Sequence, residues 1–398
     1  MAPSRIATKP FVYCEGASKW DPQSYIEDKD LAAQAAEHLA KDDLAAAVAA
    51  SFSLPPRDAY TYHAIVSVTL AQVQHVVGLG AANGLHAWYR DPAAPPPEKQ
   101  KPLQASDFLP PPPRPDVDTY LQIFDPKTAT PNILKSLASN AKKGSLRASV
   151  AAHLLEKRFL HPALPQLQIP RSKTAPPNPY LEFLAWACRN LEFAGPCPES
   201  EAVKSSHHVL PILMHHFGCV CPSHEALSIL KVLAGGREIW DMGSGNGYWT
   251  FMLRQYGLTV LPVDNAQSSW RVTWVKDTTM SDGVEFLNKP GNQGGSNAIL
   301  LLVYPIVGGG IAGGEEGGFT RQLVKAYKGD TIAVVGTQNH NGYTGFRSMS
   351  MDEYMEREEP EWTKVVQIPL PSFPGKDEAL FVFQRGDRAP KPEASSAT

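Results

Sequence analysis

The sequence is short of cysteine, of long apolar runs and of net charge, and each shortage excludes a class of protein. Its 398 residues include five cysteines, an odd number that argues against a disulfide framework and for a reducing compartment. No segment reaches the roughly 20 apolar residues of a membrane span, so we expect no contact with a membrane. The net charge of -3 provides no field that would draw the whole molecule to nucleic acid. We expect a cytoplasmic globular protein, with the mitochondrion and the nucleus as open alternatives.

Two ligand-binding patterns are also missing. The stretch "HHFGCVCPSHEAL" contains residue types that bind zinc, but a C-x-C pair with flanking histidines is not a standard zinc-finger spacing, so we predict no metal site. The residues concerned are His215, His216, Cys219, Cys221 and His224. The lysines and arginines between residues 127 and 173 lie on amphipathic helices without interleaved aromatic residues. This pattern is more typical of a solvated face than of an RNA groove.

Residues 1–204 have the pattern of a mainly helical region. Apolar residues recur at intervals of three and four in "DLAAQAAEHLAKDDLAAAVAASF", "SLRASVAAHLLEKRF" and "NPYLEFLAWACRNL", which predicts helices with one buried face. The same spacing in "AYTYHAIVSVTLAQVQHVVGLG" predicts another helix. Residues 91–116 are rich in proline, which removes backbone donors and favours an extended conformation. We expect a stiff surface loop or linker there, with binding to a partner as the alternative.

Residues 205–388 alternate between strand and helix patterns. The predicted strands begin with "REIWD", "LTVLPVD" and "RVTWVKD" and continue with "NAILLLVYP" and "TIAVVGT", and this alternation predicts an α/β fold with a mainly parallel sheet. The last two strand patterns, "WTKVVQIPLPSF" and "EALFVFQRG", are separated only by "PGKD". Such a short connection requires antiparallel pairing, because a parallel crossover needs a dozen or more residues. Residues 389–398 are predicted to be a disordered tail.

The stretch "DMGSGNGYW" places glycines at 243, 245 and 247, directly after an apolar strand pattern and before a helix pattern. Such a turn lets a polar ligand lie against bare backbone at the N-terminus of the helix. Dinucleotide-binding and methyltransferase folds both use this device. The spacing is G-x-G-x-G, whereas the dinucleotide fingerprint is G-x-G-x-x-G and position 248 is a tyrosine. A nicotinamide-dependent oxidoreductase is therefore the weakest of the alternatives.

Together with "VLPVDN" about twenty residues later and the closing hairpin, this motif resembles the class I S-adenosylmethionine-dependent methyltransferases. The resemblance covers residues 205–388 and implies a Rossmann-like, seven-stranded sheet with an antiparallel last strand. It also implies that the loop around the methionine part of the cofactor consists of Asp241, Gly243, Ser244, Gly245 and Gly247. Asp264 would hold the ribose, and Asp277 would meet the adenine amino group, with Asp282 as its competitor.

In this fold the end of the fourth strand faces the transferred methyl group. Methyltransferases that act on amines often have Asn or Asp followed by Pro-Pro and an aromatic residue there, whereas this chain has Val303, Tyr304 and Pro305. We expect Tyr304 to line the acceptor pocket, and His340 is the candidate acid or base because its ordinary pKa lies near working pH. The glycine-rich segment 308–318 is either a closing loop or a disordered insertion.

Two functions from different classes follow from these observations. The first is an S-adenosylmethionine-dependent methyltransferase whose acceptor is a small molecule, a protein or RNA. The second is a protein of the same fold that has lost turnover and acts as a scaffold or assembly factor. In both, the N-terminal helical region is a candidate surface for the acceptor or for a protein partner.

Overall fold

The computed structural model describes residues 20–64, 66–95, 103–203, 205–306 and 315–391. Three predicted segments therefore lie partly or largely outside the described residues: the centre of the proline-rich loop, most of the glycine-rich segment 308–318, and most of the C-terminal tail. The two ends of the proline-rich loop are described, and the Asp91 amide donates a hydrogen bond to the Asp107 carbonyl at 2.7 Å. The described residues contain no helix that is both long enough and apolar enough to cross a bilayer.

The N-terminal region is mainly helical, as predicted. Its helices are α1 (Pro22–Glu27), α2 (Lys29–Ala40), α3 (Leu44–Ser51), α4 (Leu70–Gly78), α5 (Arg114–Gln122), α6 (Thr130–Ser139), α7 (Leu146–Lys157) and α8 (Pro179–Asn190). Its strands are β1 (Thr61–His63), β2 (Ser67–Thr69) and β3 (Phe159–Leu160).

The helix predicted across residues 59–80 is wrong in its first half. Strands β1 and β2 pair with each other in antiparallel fashion, and α4 begins only after Thr69. The side chains of Thr69 and Gln72 form a capping box at this point. The segment "TYHAIVSVT" is rich in β-branched and aromatic residues, which fit a pleated surface better than a helix. Tyr62, the middle residue of β1, is fully buried.

The C-terminal region alternates between helices and strands. Its helices are α9 (Val209–Phe217), α10 (His224–Ala234), α11 (Tyr248–Gln255), α12 (Gly283–Asn288), α13 (Gly318–Ala326) and α14 (Met351–Glu358). Its strands are β4 (Ile239–Met242), β5 (Val260–Asp264), β6 (Thr279–Met280), β7 (Ile299–Val303), β8 (Thr331–Thr337), β9 (Thr363–Pro369) and β10 (Glu378–Gln384).

The main sheet has the order β3-β9-β10-β8-β7-β4-β5-β6. Strands β4 to β8 pair in parallel, whereas β10 is antiparallel to both of its neighbours, β8 and β9. The seven strands β4 to β10 with a reversed last strand confirm the class I methyltransferase-like fold predicted from the sequence. The eighth strand, β3, comes from the N-terminal region and pairs with β9 at the edge of the sheet.

The strand predicted at "RVTWVKD" is wrong, since residues 271–277 form a loop and the third parallel strand is the two-residue β6. In this loop the Arg271 amide donates to the His215 carbonyl at 3.1 Å, and the Trp274 amide donates to the Asn246 carbonyl at 2.7 Å. Trp274 packs edge-on against Trp20 with ring centroids 5.1 Å apart. The apolar alternation therefore serves contact with the N-terminal region rather than sheet pairing.

The two faces of the sheet pack against different parts of the chain. Leu301 and Val335 belong to a hydrophobic cluster that includes most of the buried residues of the N-terminal region. Leu300 and Val334 point the other way, into a smaller cluster with α12, α13 and α14. One face of the sheet is thus covered by the N-terminal region. The boundary at residue 204 stays a prediction.

Candidate functional site

A cavity of about 920 Å³ opens at the carboxyl ends of β4, β5 and β7. Its wall includes the last residues of these strands, Met242, Asp264 and Val303, together with the glycine loop that follows β4. Ligands of open α/β sheets bind at this edge, and small-molecule sites have volumes of about 300–1,000 Å³. The cavity therefore has the position and size of a binding site for a small molecule.

The glycine loop has the backbone geometry that the sequence suggested. Gly243, Gly245 and Gly247 have φ angles of 76°, 58° and 78°, a region that favours glycine. A Cβ on Gly245 would lie 2.8 Å from Trp270 Cζ2, and one on Gly247 would overlap Val275 Cγ2. Gly243 and Gly245 line the cavity, whereas Gly247 is the N-cap of α11. Gly247 therefore contributes to the conformation of the turn without being part of the cavity wall.

Asp264 fastens this loop to the end of β5. Its Oδ2 accepts a hydrogen bond from the Gly245 amide at 2.9 Å, and its Oδ1 accepts one from the Ala266 amide at 2.6 Å. Burial raises the pKa of the carboxyl, while the two amides act in the opposite direction. Each carboxylate oxygen has a second lone pair. The side chain can therefore hold the loop and still accept hydrogen bonds from a ligand in the cavity.

Two further polar side chains of the loop have atoms without a partner among the described residues. Ser244 Oγ and Asn246 Nδ2 are both buried and have no hydrogen bond, although both residues contribute to the cavity wall. A buried polar atom without a partner is costly. A polar ligand that paired with these atoms would remove that cost.

Asp241 lies behind the loop and outside the described lining of the cavity. Its Oδ2 accepts a hydrogen bond from Thr250 Oγ1 at 2.7 Å, and its Oδ1 has no partner in the part of the chain that the structure describes. Burial raises the pKa of Asp241 to about 7. This carboxyl group therefore supports the turn from inside the protein.

Asp277 and Asp282 occupy different environments. Asp277 forms an exposed ion pair with Arg254 at 2.8 Å, and the hydrogen bond from Arg254 lowers its pKa. Asp282 lines the cavity, and its Oδ1 accepts from the Val284 amide at the start of α12 at 2.9 Å. Asp277 does not reach the cavity because residues 271–277 do not form the expected strand. Its competitor Asp282, by contrast, is part of the cavity wall.

Tyr304 lies in the cavity wall immediately after β7. Its φ angle is 53°, a left-handed conformation that is uncommon for a bulky side chain and concentrates at functional sites. The hydroxyl donates to Glu378 Oε1 at 3.3 Å, and the ring stacks on Tyr343 with centroids 4.9 Å apart. Burial raises the pKa of Tyr304 well above its ordinary value, so this side chain acts as a neutral hydroxyl.

His340 lies outside the described lining of the cavity. Its two ring nitrogens contact Glu201 at 3.0 Å and Glu353 at 3.2 Å. Partial burial lowers the pKa of His340, but the hydrogen bonds and charges of Glu353 and Glu201 raise it overall. A histidine held between two carboxylates, away from the cavity, is suited to an ion pair rather than to acid–base chemistry on a bound ligand.

Sequence reasoning missed a charged side chain in the cavity wall, Lys376. Lys376 lies in the turn between β9 and β10, and its Nζ donates to the Tyr343 hydroxyl at 2.7 Å. Glu378, two residues further on, is buried at the start of β10. A signal was present, since "PGKDEALFVFQ" places three charged residues beside an otherwise apolar strand. Charged groups almost never lie in such a place without a specific partner.

The histidines and cysteines near α9 take part in packing and hydrogen bonding. His215 Nε2 lies 2.8 Å from the His63 carbonyl oxygen, and His216 Nε2 lies 3.1 Å from the Tyr62 hydroxyl. Burial raises the pKa of Cys219, which lines the cavity, to about 12, so the thiol stays protonated and is a poor nucleophile. Within the part of the chain that the structure describes, no group of three metal-ligating side chains comes together.

No protein-family model and no curated protein matches the sequence. Among solved structures, the chain is similar to magnesium protoporphyrin IX methyltransferase from Synechocystis PCC 6803 with bound S-adenosylmethionine, with 10% identity, 47% of this chain and 89% of that chain covered, and a TM-score of 0.31. It is also similar to human N-acetylserotonin methyltransferase in complex with S-adenosylmethionine, with 10% identity, coverages of 92% and 94%, and a TM-score of 0.28. Because these similarities are so low, the fold assignment rests on the strand order and the reversed last strand.

Proposed function

We propose that this chain is an S-adenosylmethionine-dependent methyltransferase that holds its cofactor in the cavity at the ends of β4 and β5. The observation that carries the proposal is the Asp264 carboxylate, which lies in the cavity wall and is bound to the Gly245 amide at 2.9 Å. One lone pair on each of its oxygens remains for the ligand. Two acceptors on one carboxylate match the two neighbouring hydroxyls of a ribose.

The glycine loop fits the methionine end of the cofactor. Because Gly243 and Gly245 have no side chain, a ligand can approach the backbone at the N-terminal end of α11. Ser244 Oγ and Asn246 Nδ2 are polar atoms without a partner among the described residues, and both can donate to a carboxylate. They would hold the carboxylate of the methionine part.

Asp282 and Trp270 fit the adenine end. Asp282 lines the cavity beyond β6, where a carboxylate can accept from an exocyclic amino group. The Trp270 ring lies close to Gly245 in the same wall, and an indole offers a flat apolar surface for a purine. Asp282 would therefore take the role that the resemblance implied for Asp277.

The bound cofactor would supply an electrophilic methyl group on a sulfonium centre. The chain itself would orient the acceptor, and Tyr304 after β7 lies where the fold brings acceptor and cofactor together. Burial keeps its hydroxyl protonated, so it would position the acceptor by hydrogen bonding. Holding two reactants in line contributes much of the rate in such transfers.

The test is a calorimetric titration of the full chain with S-adenosylhomocysteine, S-adenosylmethionine and NAD. We expect both adenosyl ligands to bind with micromolar affinity and NAD not to bind. Asp264→Ala should weaken the binding of S-adenosylhomocysteine by tenfold or more, since a lost hydrogen bond to a charged group is worth about 1.5–3 kcal/mol.

The matched control is Asp277→Ala, which removes an exposed carboxylate paired with Arg254 outside the cavity. It should leave the affinity for S-adenosylhomocysteine unchanged. Equal losses in both variants would contradict the proposed site. Absence of adenosyl binding in a folded wild-type protein would favour the alternative function, a scaffold that has kept the fold without the cofactor.

A further inference from the structure

The cavity wall contains one lysine whose position the cofactor site does not explain. Lys376 is only 4% exposed, and its Nζ donates to the Tyr343 hydroxyl at 2.7 Å and lies 4.1 Å from the centroid of that ring. A long cationic side chain normally extends its charged end into water. Here the ammonium group is turned into the protein, at the side of the cavity formed by Tyr304 and Tyr343.

Lys376 has no carboxylate partner within ion-pairing distance among the described residues. The carboxylate of the neighbouring Asp377 is bound by His153 and Gln338. Glu378 Oε1 accepts from the Tyr304 hydroxyl, and Glu378 Oε2 has no partner among the described residues. Burial lowers the pKa of Lys376, and the charge of Glu378 counteracts this effect. Burying a cation without a close anion is costly. An anion in the cavity would remove that cost.

The turn that carries Lys376 is held firmly by the N-terminal region. The next residue, Asp377, contacts His153 Nε2 at 2.8 Å and accepts from Gln338 Nε2 at 2.8 Å. A Cβ on the preceding residue, Gly375, would lie 3.0 Å from the Trp88 ring. These contacts fix the backbone on both sides of Lys376, so its position is part of the fold.

Apolar side chains form much of the wall of the cavity that Lys376 lines. Leu210 and Met214 on α9, Ile306 after β7 and Phe319 on α13 line the same space. A few polar groups in a mostly apolar wall are typical of sites for small organic molecules. This combination suits a ligand with an apolar body and one anionic group.

We propose that the methyl acceptor is a small organic acid whose anionic oxygen is bound by the Lys376 ammonium and the Tyr343 hydroxyl. This inference rests on the proposed function, in which the glycine loop and Asp264 bind the cofactor and the rest of the cavity is left for the acceptor. Tyr343 accepts a hydrogen bond from Lys376, so its own proton is available for the acid. Lys376 and Tyr343 thus form the acceptor end of the cavity.

The test compares matched acids and amides on protein saturated with S-adenosylhomocysteine. The probes are benzoate with benzamide and 2-naphthoate with 2-naphthamide, pairs of similar shape that differ in charge. In calorimetric titrations we expect each acid to bind the wild-type protein at least tenfold more tightly than its amide. Equal affinity within both pairs, or no binding of either acid, would overturn the proposal without any variant being made.

The variants assign this preference to Lys376. Lys376→Met, which keeps the length of the side chain, should abolish the preference for the acid and leave the affinity for S-adenosylhomocysteine unchanged. Lys376→Arg should retain the preference, and so should Lys325→Met, a control on the exposed face of α13. A preference that persists in Lys376→Met would contradict the assignment.

The two proposals fail in different ways. If S-adenosylhomocysteine does not bind, the cofactor proposal is wrong. The acid and amide titrations are then repeated on the protein alone, where a preference that depends on Lys376 would still establish the anion site. If S-adenosylhomocysteine binds and the acids show no preference over their amides, the cofactor proposal stands and the acceptor proposal is wrong.

Discussion

His153 Nε2 lies 2.8 Å from Asp377 Oδ2, and both side chains are buried. His153 belongs to α7 in the N-terminal region, and Asp377 lies in the turn between β9 and β10. The contact therefore joins a helix outside the methyltransferase-like sheet to the residue next to Lys376. It gives the N-terminal region a direct role in the shape of the cavity.

The contact predicts the cost of removing the histidine. His153→Ala leaves Asp377 with Gln338 Nε2 as its remaining side-chain partner, and an under-satisfied buried charge costs about 1–3 kcal/mol or more. We expect a loss of about 2 kcal/mol in the free energy of unfolding, measured by urea denaturation at pH 7. The control is His75→Ala on the exposed side of α4, for which we expect a change below about 0.5 kcal/mol. A similar small change for His153→Ala would contradict this role.

The glycine loop allows a test that separates backbone strain from steric overlap. Gly247 and Gly257 have similar φ angles of 78° and 80°, but a Cβ on Gly247 would overlap Val275, whereas one on Gly257 would meet nothing closer than Lys231 Nζ at 3.9 Å. Both alanine variants pay about 1–2 kcal/mol for a left-handed backbone. We expect Gly247→Ala to lose clearly more stability in urea denaturation. Equal losses would mean that the close contact with Val275 is not part of the native turn.

The buried carboxyl of Asp241 predicts a dependence of stability on pH. Burial raises its pKa from 3.8 to about 7, so the folded protein holds a proton that the unfolded chain releases between these values. The contribution of Asp241 to stability is therefore fully present below pH 4 and is lost as the pH rises toward 7. Asp241→Asn should remove this dependence while its amide oxygen still accepts from Thr250. The measurement is the difference in urea stability between the two proteins at several pH values from 4 to 8, and a difference that does not change with pH would contradict the assignment.

The position of Asp282 predicts that the cofactor site distinguishes adenine from hypoxanthine. If its carboxylate accepts from the adenine amino group, S-inosylhomocysteine, which lacks that group, should bind the wild-type protein about tenfold more weakly than S-adenosylhomocysteine, the worth of about one hydrogen bond. In Asp282→Ala the two ligands should bind with equal affinity. Any effect of the lost N-cap of α12 should lower both affinities equally. A preference for adenosine that survives in the variant would place the adenine elsewhere.

Much of the fold could be predicted because its signals are local. The strand patterns before Asp241 and Asp264 and the short "PGKD" connection determine the parallel core and the reversed last strand. Residues 271–277 and 61–69 could not be placed correctly, because their apolar patterns serve long-range contacts, such as Trp274 with Trp20 and Tyr62 with His216. Periodicity alone does not say what an apolar face packs against.

The site could be predicted where a motif or the end of a predicted strand contained it, as for the glycine loop, Asp264 and Tyr304. The loop from Gly243 to Gly247 and the side chain of Asp264 belong to one sequence pattern. In the structure the Gly245 amide donates a hydrogen bond to Asp264. Lys376 and Tyr343 are brought to the cavity by a hairpin and a loop that are distant from that motif. Their meeting depends on how the N-terminal region holds the hairpin, which no local pattern encodes.

The most direct test of the cofactor proposal is a crystal structure of the protein grown with S-adenosylhomocysteine. We expect electron density for the ligand in the cavity, with both ribose hydroxyls within hydrogen-bonding distance of the Asp264 carboxylate and the methionine end against Ser244 and Asn246. A cavity that stays empty at a saturating concentration of S-adenosylhomocysteine, or ligand bound away from Asp264, would contradict the account.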